Sequence, residues 1–265
     1  MDPTLGLGTI ERVDEPDFRA LDLIGYEIMA AGPNEWNLTG GGSYNDFANW
    51  TNQTLPDGVG AVPNFVGSIT EASAVTVDAP VTVGTINFNN TNSYTIAGAA
   101  SITLQTSGGD AQINVQQGAH TISARLSFAG GLTVDTAEGT SLTLAPAAGY
   151  SPLEGDLAKN GAGGLVLGPR LLVVGQLNLN AGELEIASGV LALPGGDVTI
   201  GDGATLKASG YVNRRVIDTG GGTSTVVATG AMIVGNQQSA GYDFAGTLDV
   251  GAHSVTVVGP PGEAT

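Results

Sequence analysis

Two histidines are the first candidates for catalysis or metal binding in this chain. His120 and His253 are its only histidines, and it contains no cysteine. A protease-type zinc site needs two histidines four positions apart on one helix, with a glutamate beside the first. These two lie far apart, in strand-like contexts. We interpret both as corner or surface residues, and expect no metal site and no bound cofactor.

Carboxylates are the second kind of candidate, because sugar-cleaving enzymes use paired acids at a set separation. The acids that deserve consideration are scattered along the chain: Asp135, Glu138, Glu183 and Glu185. Glu183 and Glu185 alternate with Leu184, which places them on a solvated face. No G-x-S-x-G sequence marks a nucleophilic serine, and two lysines leave few bases for a lyase. The sequence therefore predicts no enzyme activity within this chain.

Aromatic residues concentrate between positions 32 and 67, where both tryptophans of the chain occur. One interpretation is a cap that closes the end of a repetitive core, as terminal repeats require. The other is a carbohydrate-stacking surface, for which Trp36, Tyr44 and Trp50 are the candidate contacts. Both interpretations remain open from the residues alone.

The composition restricts the classes of partner. The 265 residues include 42 glycines and carry a net charge of −17. Nucleic-acid binding requires a basic face, so it is excluded, and an anionic membrane surface is equally unsuitable. No apolar run is long enough to span a membrane, and no signal peptide is recognisable. We expect a piece of a longer exported bacterial polypeptide, secreted or at the cell surface, whose export signal lies outside this chain.

A seven-residue glycine period identifies the fold. It comprises Gly161, Gly168, Gly175, Gly182, Gly189, Gly196, Gly203 and Gly210. Between the glycines, apolar residues recur two apart, which is the period of a strand and not of a helix. The clearest pairs are Leu177/Leu179, Leu184/Ile186, Leu191/Leu193 and Val198/Ile200. Three strand-and-corner units make a coil of about 20–22 residues. The pattern predicts an all-β protein, a parallel β-helix.

The same pattern divides the chain into four parts. Residues 1–31 carry the helical pattern, with Asp14, Glu15 and Pro16 at a helix start, and are expected to be the tail of an upstream domain. Residues 32–67 form the aromatic, glycine-rich cap or linker, 68–258 the β-helix, and 259–265 a linker. Asn87, Asn89, Asn90 and Asn92 are expected at corners or in an asparagine ladder.

Residues 156–186 resemble the autotransporter-associated β-strand repeat, whose pattern is L-x-K-x-G-x-G-x-L-x-L followed by a second glycine-leucine part. The matching positions are Leu157, Lys159, Gly161, Gly163, Leu165 and Leu167, then Asn180, Gly182 and Leu184. The Tyr-Thr-Gly-x-Thr segment usual between the halves is replaced in this chain by residues 169–174. The resemblance implies a right-handed parallel β-helix in a large secreted or surface-displayed bacterial protein.

Met1–Thr4 and Asp17–Tyr26 are similar to the C-terminal end of exported metzincin-type metalloproteases. That resemblance implies that Met1 belongs to a methionine turn in a longer chain. The zinc ligands cannot be carried over, because the chain has no H-E-x-x-H sequence.

The sequence therefore predicts a non-catalytic structural or surface-display solenoid, with adhesion or matrix interaction as its broader role. Its expected partners are a surface polysaccharide or extracellular matrix, together with the upstream domain of the same polypeptide. The alternative is an accessory C-terminal region of a secreted zinc metalloprotease. A third hypothesis is a carbohydrate-binding or carbohydrate-cleaving β-helix.

Overall fold

The computed structural model describes residues 32–187 and 198–207 in full, and beyond them the backbone of short strands between Val190 and Val258. The chain divides into two units, Met1–Gly32 and Pro33–Thr265, and the second unit contains all of the described strands. The helix predicted within 1–31 and the metzincin-like segment lie outside the described residues, as does the linker predicted at 259–265.

The described elements are short strands and one 3-10 helix. In chain order they are β1 Gly42–Ser43, the 3-10 helix Phe47–Asn49, β2 Asn64–Phe65, β3 Ser73–Thr76, β4 Val81–Val83, β5 Thr85–Asn89, β6 Tyr94–Ala97, β7 Ser101–Leu104, β8 Ala111–Gln117, β9 Ala119–Ile122, β10 Arg125–Phe128, β11 Leu132–Thr136, β12 Ser141–Leu144, β13 Ser151–Leu153, β14 Leu157–Asn160, β15 Gly164–Leu167, β16 Leu171–Val173, β17 Leu177–Leu179, β18 Glu183–Ile186, β19 Val190–Leu191, β20 Val198–Ile200, β21 Thr205–Ala208, β22 Tyr211–Arg214, β23 Val216–Asp218, β24 Thr225–Ala228, β25 Met232–Val234, β26 Thr247–Asp249 and β27 Val257–Val258.

The strands occupy three faces in rotation. The first face is the ten-stranded sheet β1-β3-β6-β9-β12-β15-β18-β21-β24-β27, and the third is the nine-stranded sheet β2-β5-β8-β11-β14-β17-β20-β23-β26. The second face consists of two separate sheets, β4-β7-β10 and β13-β16-β19-β22-β25. Neighbouring strands within each face are parallel. Six complete three-strand turns run from Ser73 to Ile200, so the fold is an all-β parallel β-solenoid.

Alternation of side chains along each strand builds the core. The predicted pairs Leu177/Leu179, Leu184/Ile186 and Val198/Ile200 are buried, which confirms the strand period. On the first face Leu142, Leu165, Leu184 and Leu206 stand in register on successive coils, and none is exposed. Stacking equivalent apolar residues coil upon coil gives one continuous core, as in other solenoids.

Coil length is less regular than the glycine period suggests. Thr95 pairs with Thr121, 26 residues later, and Gly164 pairs with Glu183, 19 residues later. Individual coils are therefore both longer and shorter than the predicted 20–22 residues. Among the heptad glycines, Gly161, Gly182 and Gly203 have left-handed φ angles of 72°, 72° and 71°. They mark the same corner on three successive coils. At Gly168 and Gly175 the φ angle is ordinary, but a Cβ would lie 2.6 Å from Ala145 Cβ and 2.2 Å from Gly155 O.

A column of asparagine side chains lines the outside of the third face. Asn87 Nδ2 donates to Asn64 Oδ1 at 2.8 Å, and Asn114 Nδ2 donates to Asn87 Oδ1 at 2.9 Å. Two coils further on, Asn180 Nδ2 donates to Asn160 Oδ1 at 2.8 Å. The ladder predicted for Asn87 is thus present, while Asn90 and Asn92 lie at a corner and donate to Ile69 O.

Candidate functional site at a break in the second face

The second face is interrupted between β10 and β13, whereas the first and third faces run through. Where a ladder would join these two strands, the Leu126 N–H donates to the side-chain oxygen of Ser151 at 3.1 Å. Ser151 is fully buried. A serine hydroxyl therefore takes the place of a backbone carbonyl at the break.

Pro152 explains why the ladder stops. The Ser151 N–H donates to Arg170 O, and Leu153 O accepts from the Val174 N–H. The backbone hydrogen-bonding groups of Ser151 and Leu153 thus point towards β16. Those of Pro152, which lies between them, point towards β10. Proline has no N–H to donate, so β13 cannot form the central ladder hydrogen bond on that side.

The connection that enters β13 also differs from its neighbours. Residues 145–150 join β12 to β13, whereas two residues, 123 and 124, join β9 to β10 in the preceding coil. The Ala147 N–H donates to Ser123 O at 2.9 Å, which fixes the longer connection to the coil before it. The last residue of this longer connection, Tyr150, is 71 % exposed.

Two arginines flank this connection. Arg170 Nη1 donates to Ala147 O at 2.9 Å, and the Arg170 backbone has a φ angle of 71°, which is costly for a residue with a Cβ. Arg125 runs alongside Gly149: a Cβ at that glycine would lie 3.4 Å from both Cδ and Nε of Arg125. Both arginines are exposed residues, and both lie against the same short segment.

A cavity of about 150 Å³ lies beside the connection, lined by Tyr150, Arg170, Leu171 and Leu172. In the fully described ranges, Lys159 is buried and Lys207 is paired with Glu183 at 2.5 Å. The two arginines are therefore the cations of those ranges that are exposed and outside an ion pair. The break combines an exposed aromatic ring, a small apolar cavity and two guanidinium groups, which suits the binding of an anion attached to an apolar ring face.

The predicted carbohydrate contacts lie elsewhere, in the core at the start of the solenoid. Trp36 and Trp50 are 0 % exposed and Tyr44 is 1 % exposed. Trp36 meets Trp50 edge to face at 5.3 Å, and Tyr44 meets Trp50 at 4.9 Å. Trp50 Nε1 donates to Tyr44 O, and the Tyr44 hydroxyl donates to Pro56 O. The three rings present no face to a sugar in this arrangement, and they pack as an aromatic plug.

His120 extends that aromatic core and does not lie at a corner or on the surface. Its ring stacks on Phe88 at 4.5 Å. Its Nδ1 accepts the Tyr94 N–H at 3.0 Å, so Nε2 carries the proton and donates to Gln117 O at 2.7 Å. Burial lowers the pKa of His120, opposed by its hydrogen bonds to backbone groups. The ring is thus a neutral core group. His253 lies outside the described residues.

Lys159, singled out by the repeat pattern, is fully buried and in register with Val134 and Leu179. Its Nζ donates to three backbone carbonyls, those of Asn160, Gly161 and Ala181, at 2.6, 2.8 and 3.3 Å. Burial lowers its pKa to about 8, and the Asp135 carboxylate opposes that change. The ammonium group fastens a corner of one coil to the next.

The candidate catalytic acids lie on two different faces of the solenoid, with Glu138 at the exposed corner that follows β11. Asp135 lies on the third face, Glu183 and Glu185 lie on the first, and Glu183 is paired with Lys207. Within the described ranges, no three histidine, cysteine, aspartate or glutamate side chains are grouped so that they could hold a metal ion.

Sequence reasoning missed the break and the residues around it. Two signals were present: Pro152 stands where the strand rhythm calls for a strand residue, between Ser151 and Leu153, and the spacing between neighbouring strands lengthens at residues 145–150. A proline in a strand pattern indicates an interrupted ladder. Neither signal identifies which side chains gather there, because that depends on the coils above and below.

No protein-family model, curated protein or solved structure matches this chain. Among the described residues, no helix has the length and apolar character needed to cross a membrane. The class of protein is therefore defined by the fold alone, a parallel β-solenoid with one interrupted face.

Proposed function

We propose that this chain is a non-catalytic structural and surface-display solenoid of a secreted bacterial protein, with adhesion or matrix interaction as its broader role. The observation that supports it is the stack of coils joined by parallel ladders, ten strands deep on one face and nine on another. Each added coil extends such a stack by about 4.8 Å. A chain of this kind provides length and a repetitive surface without a catalytic centre.

The finer family assignment is part of this proposal. The positions that resemble the autotransporter-associated repeat have structural roles in this chain: Lys159 bonds three carbonyls, and Gly161 and Gly182 occupy left-handed corners. Residues that fix the corners of a coil recur in a repeat when the role of the repeat is to maintain the shape of the solenoid. We therefore propose a right-handed β-helix of that repeat class, exported to the cell surface.

Adhesion is favoured over a purely inert spacer by the break in the second face. A uniform spacer would gain nothing from an exposed tyrosine beside two arginines in a chain with a net charge of −17. Tyrosine and arginine are the residue types enriched at binding surfaces. This patch also favours the carbohydrate-binding form of our third hypothesis over the cleaving form. The metalloprotease alternative depends on residues 1–31, outside the described structure, and remains a prediction.

Surface display tests the proposal. The full chain, fused to an outer-membrane anchor on a non-adherent bacterium, should increase attachment to polysaccharide-coated or matrix-coated surfaces several-fold over the anchor alone. Purified chain added in solution should compete for that attachment. Attachment equal to that of the anchor alone would contradict the adhesive role. Sugar release from the same polysaccharides by the purified chain would contradict the non-catalytic one.

A further inference from the structure

We infer that the break in the second face binds a segment of an acidic polysaccharide built of uronic acid units, with the ring of Tyr150 against one sugar and Arg125 and Arg170 receiving carboxylates of that sugar and of a neighbouring one. The inference rests on the proposed adhesive function and names the ligand class of that surface.

The ring contact follows from Tyr150 and the cavity beside it. Tyr150 is 71 % exposed, the highest exposure among the large hydrophobic side chains described. The cavity that it lines with Leu171 and Leu172 measures about 150 Å³, and a cavity of that size accommodates a single six-membered ring. A pyranose has a C–H face of that size, which packs on an aromatic ring while its hydroxyls stay in water.

The charge of the ligand follows from the arginines. Arg170 uses Nη1 on Ala147 O, and among the described residues its other donors are not engaged. Arg125 lies beside Gly149 on the other part of the same connection. Guanidinium groups bind carboxylates through paired N–H donors. Because the whole chain is strongly acidic, a polyanion is repelled elsewhere and attracted at this break.

A strand of acidic peptide fits the break less well than a sugar. Adding a strand to a sheet edge requires free backbone donors and acceptors on that edge. At this edge the Leu126 N–H is already taken by Ser151 Oγ, and Pro152 has no N–H to offer.

The test measures binding of two matched ligands to the full chain by calorimetry. One is a tetramer of galacturonic acid, and the other is the same tetramer with its carboxylates reduced to alcohols. The variants Tyr150→Ala, Arg125→Gln and Arg170→Gln should each weaken binding of the acidic tetramer about tenfold or more. Two controls remove an aromatic ring and a positive charge elsewhere: Phe47→Ala, an exposed aromatic, and Lys207→Gln. Both should bind like the parent.

Because Arg170→Gln also alters a contact to Ala147, Arg170→Lys is included; it keeps the charge and a donor and should bind with intermediate affinity. Equal binding of the reduced tetramer, or of a polyglutamate peptide, would overturn the inference. So would absence of binding to the acidic tetramer. If surface-displayed chain still promotes attachment and the three variants attach equally well, the adhesive function stands and this site assignment fails. If the parent chain promotes no attachment, the proposed function fails.

Discussion

Asp135 stands in register with Asn114 on the third face, at the point where the asparagine column is interrupted. On both sides of this point the amides form hydrogen-bonded pairs, Asn114 with Asn87 and Asn180 with Asn160. A carboxylate has no N–H to donate, so Asp135 cannot continue the chain of amides towards Asn114. It acts instead on the buried ammonium of Lys159, whose pKa it raises against the effect of burial. At Asp135 the asparagine column therefore lacks an amide hydrogen bond, but the carboxylate at this position stabilises the charged form of the buried Lys159.

Replacing Asp135 with asparagine should separate these two roles. The new amide can donate to Asn114 Oδ1 and accept from Asn160, which should raise the free energy of unfolding by about 1 kcal/mol. Near pH 9.5, where Lys159 is largely neutral in the folded chain, this gain should be seen in full. At pH 7 it should be smaller, because the charged Lys159 has lost its carboxylate. Urea unfolding at both pH values measures the difference.

Glu138→Gln is the matched control for that substitution, since it removes one exposed negative charge at the adjoining corner. It should leave the free energy of unfolding unchanged within about 0.5 kcal/mol at either pH. A gain for Asp135→Asn that is equal at pH 7 and pH 9.5 would show that the carboxylate does not support Lys159.

Lys159 should also make the parent chain more stable as the pH rises from about 8 to 9.5. Its pKa is lowered to about 8 in the folded chain, while an unfolded lysine titrates near 10.4. Between these values the unfolded state binds more protons, so the free energy of unfolding increases with pH, by roughly 1–2 kcal/mol over this window. Above about pH 10 the buried tyrosines oppose the trend, because burial also raises the pKa of Tyr94, to about 12.

Unfolding measured across that window in Lys159→Met should show no such rise, whatever the overall loss of stability. The control is Lys207→Met, which removes an exposed lysine and should keep the rise of the parent. A parent chain with flat stability between pH 8 and 9.5 would show that the three carbonyls hold the Lys159 pKa at its ordinary value.

His120 should cause a loss of stability in mild acid. Burial lowers its pKa in the folded chain below the usual 6.5, and a second ring proton on Nδ1 would face the Tyr94 N–H, which is itself a donor. Below about pH 6.5 the unfolded state therefore binds more protons than the folded state. The free energy of unfolding consequently decreases as the pH is lowered. His120→Phe, which keeps the stack on Phe88, should reduce this dependence. Proton NMR of the ring follows the titration directly. A His120 signal that titrates at or above pH 6.5 would contradict the neutral core group.

The sequence predicted the solenoid because its signals are local and repeated. The two-residue apolar period fixes which side chains point inward, and recurring glycines such as Gly161 and Gly182 mark corners. It did not predict the buried position of His120, which follows from the aromatic residues of neighbouring coils, Phe88 and Tyr94. Nor did it predict the patch around Tyr150. Contacts between coils depend on register, and a local signal such as the longer spacing at residues 145–150 does not show which residues of the neighbouring coils it brings together.

A pair of glycines three residues apart tests the corner geometry that the period implies. Gly161 has a φ angle of 72°, and a Cβ there would lie 2.2 Å from Thr136 O. Gly164 begins β15, where a Cβ would meet Ser141 Cβ at an ordinary 3.7 Å. Gly161→Ala should therefore lower the free energy of unfolding by about 2 kcal/mol or more. Gly164→Ala should change it by less than about 0.5 kcal/mol.

Urea unfolding of the two variants side by side gives both values on the same coil of the same chain. The Gly161→Ala loss should persist when Lys159 is replaced by methionine, because the left-handed angle and the clash with Thr136 do not depend on the ammonium group. If instead the two alanine variants were equally stable, the left-handed corner at Gly161 would be incorrect. The seven-residue period would then reflect the close approach of neighbouring coils, as at Gly168, and not a backbone angle that glycine alone adopts readily.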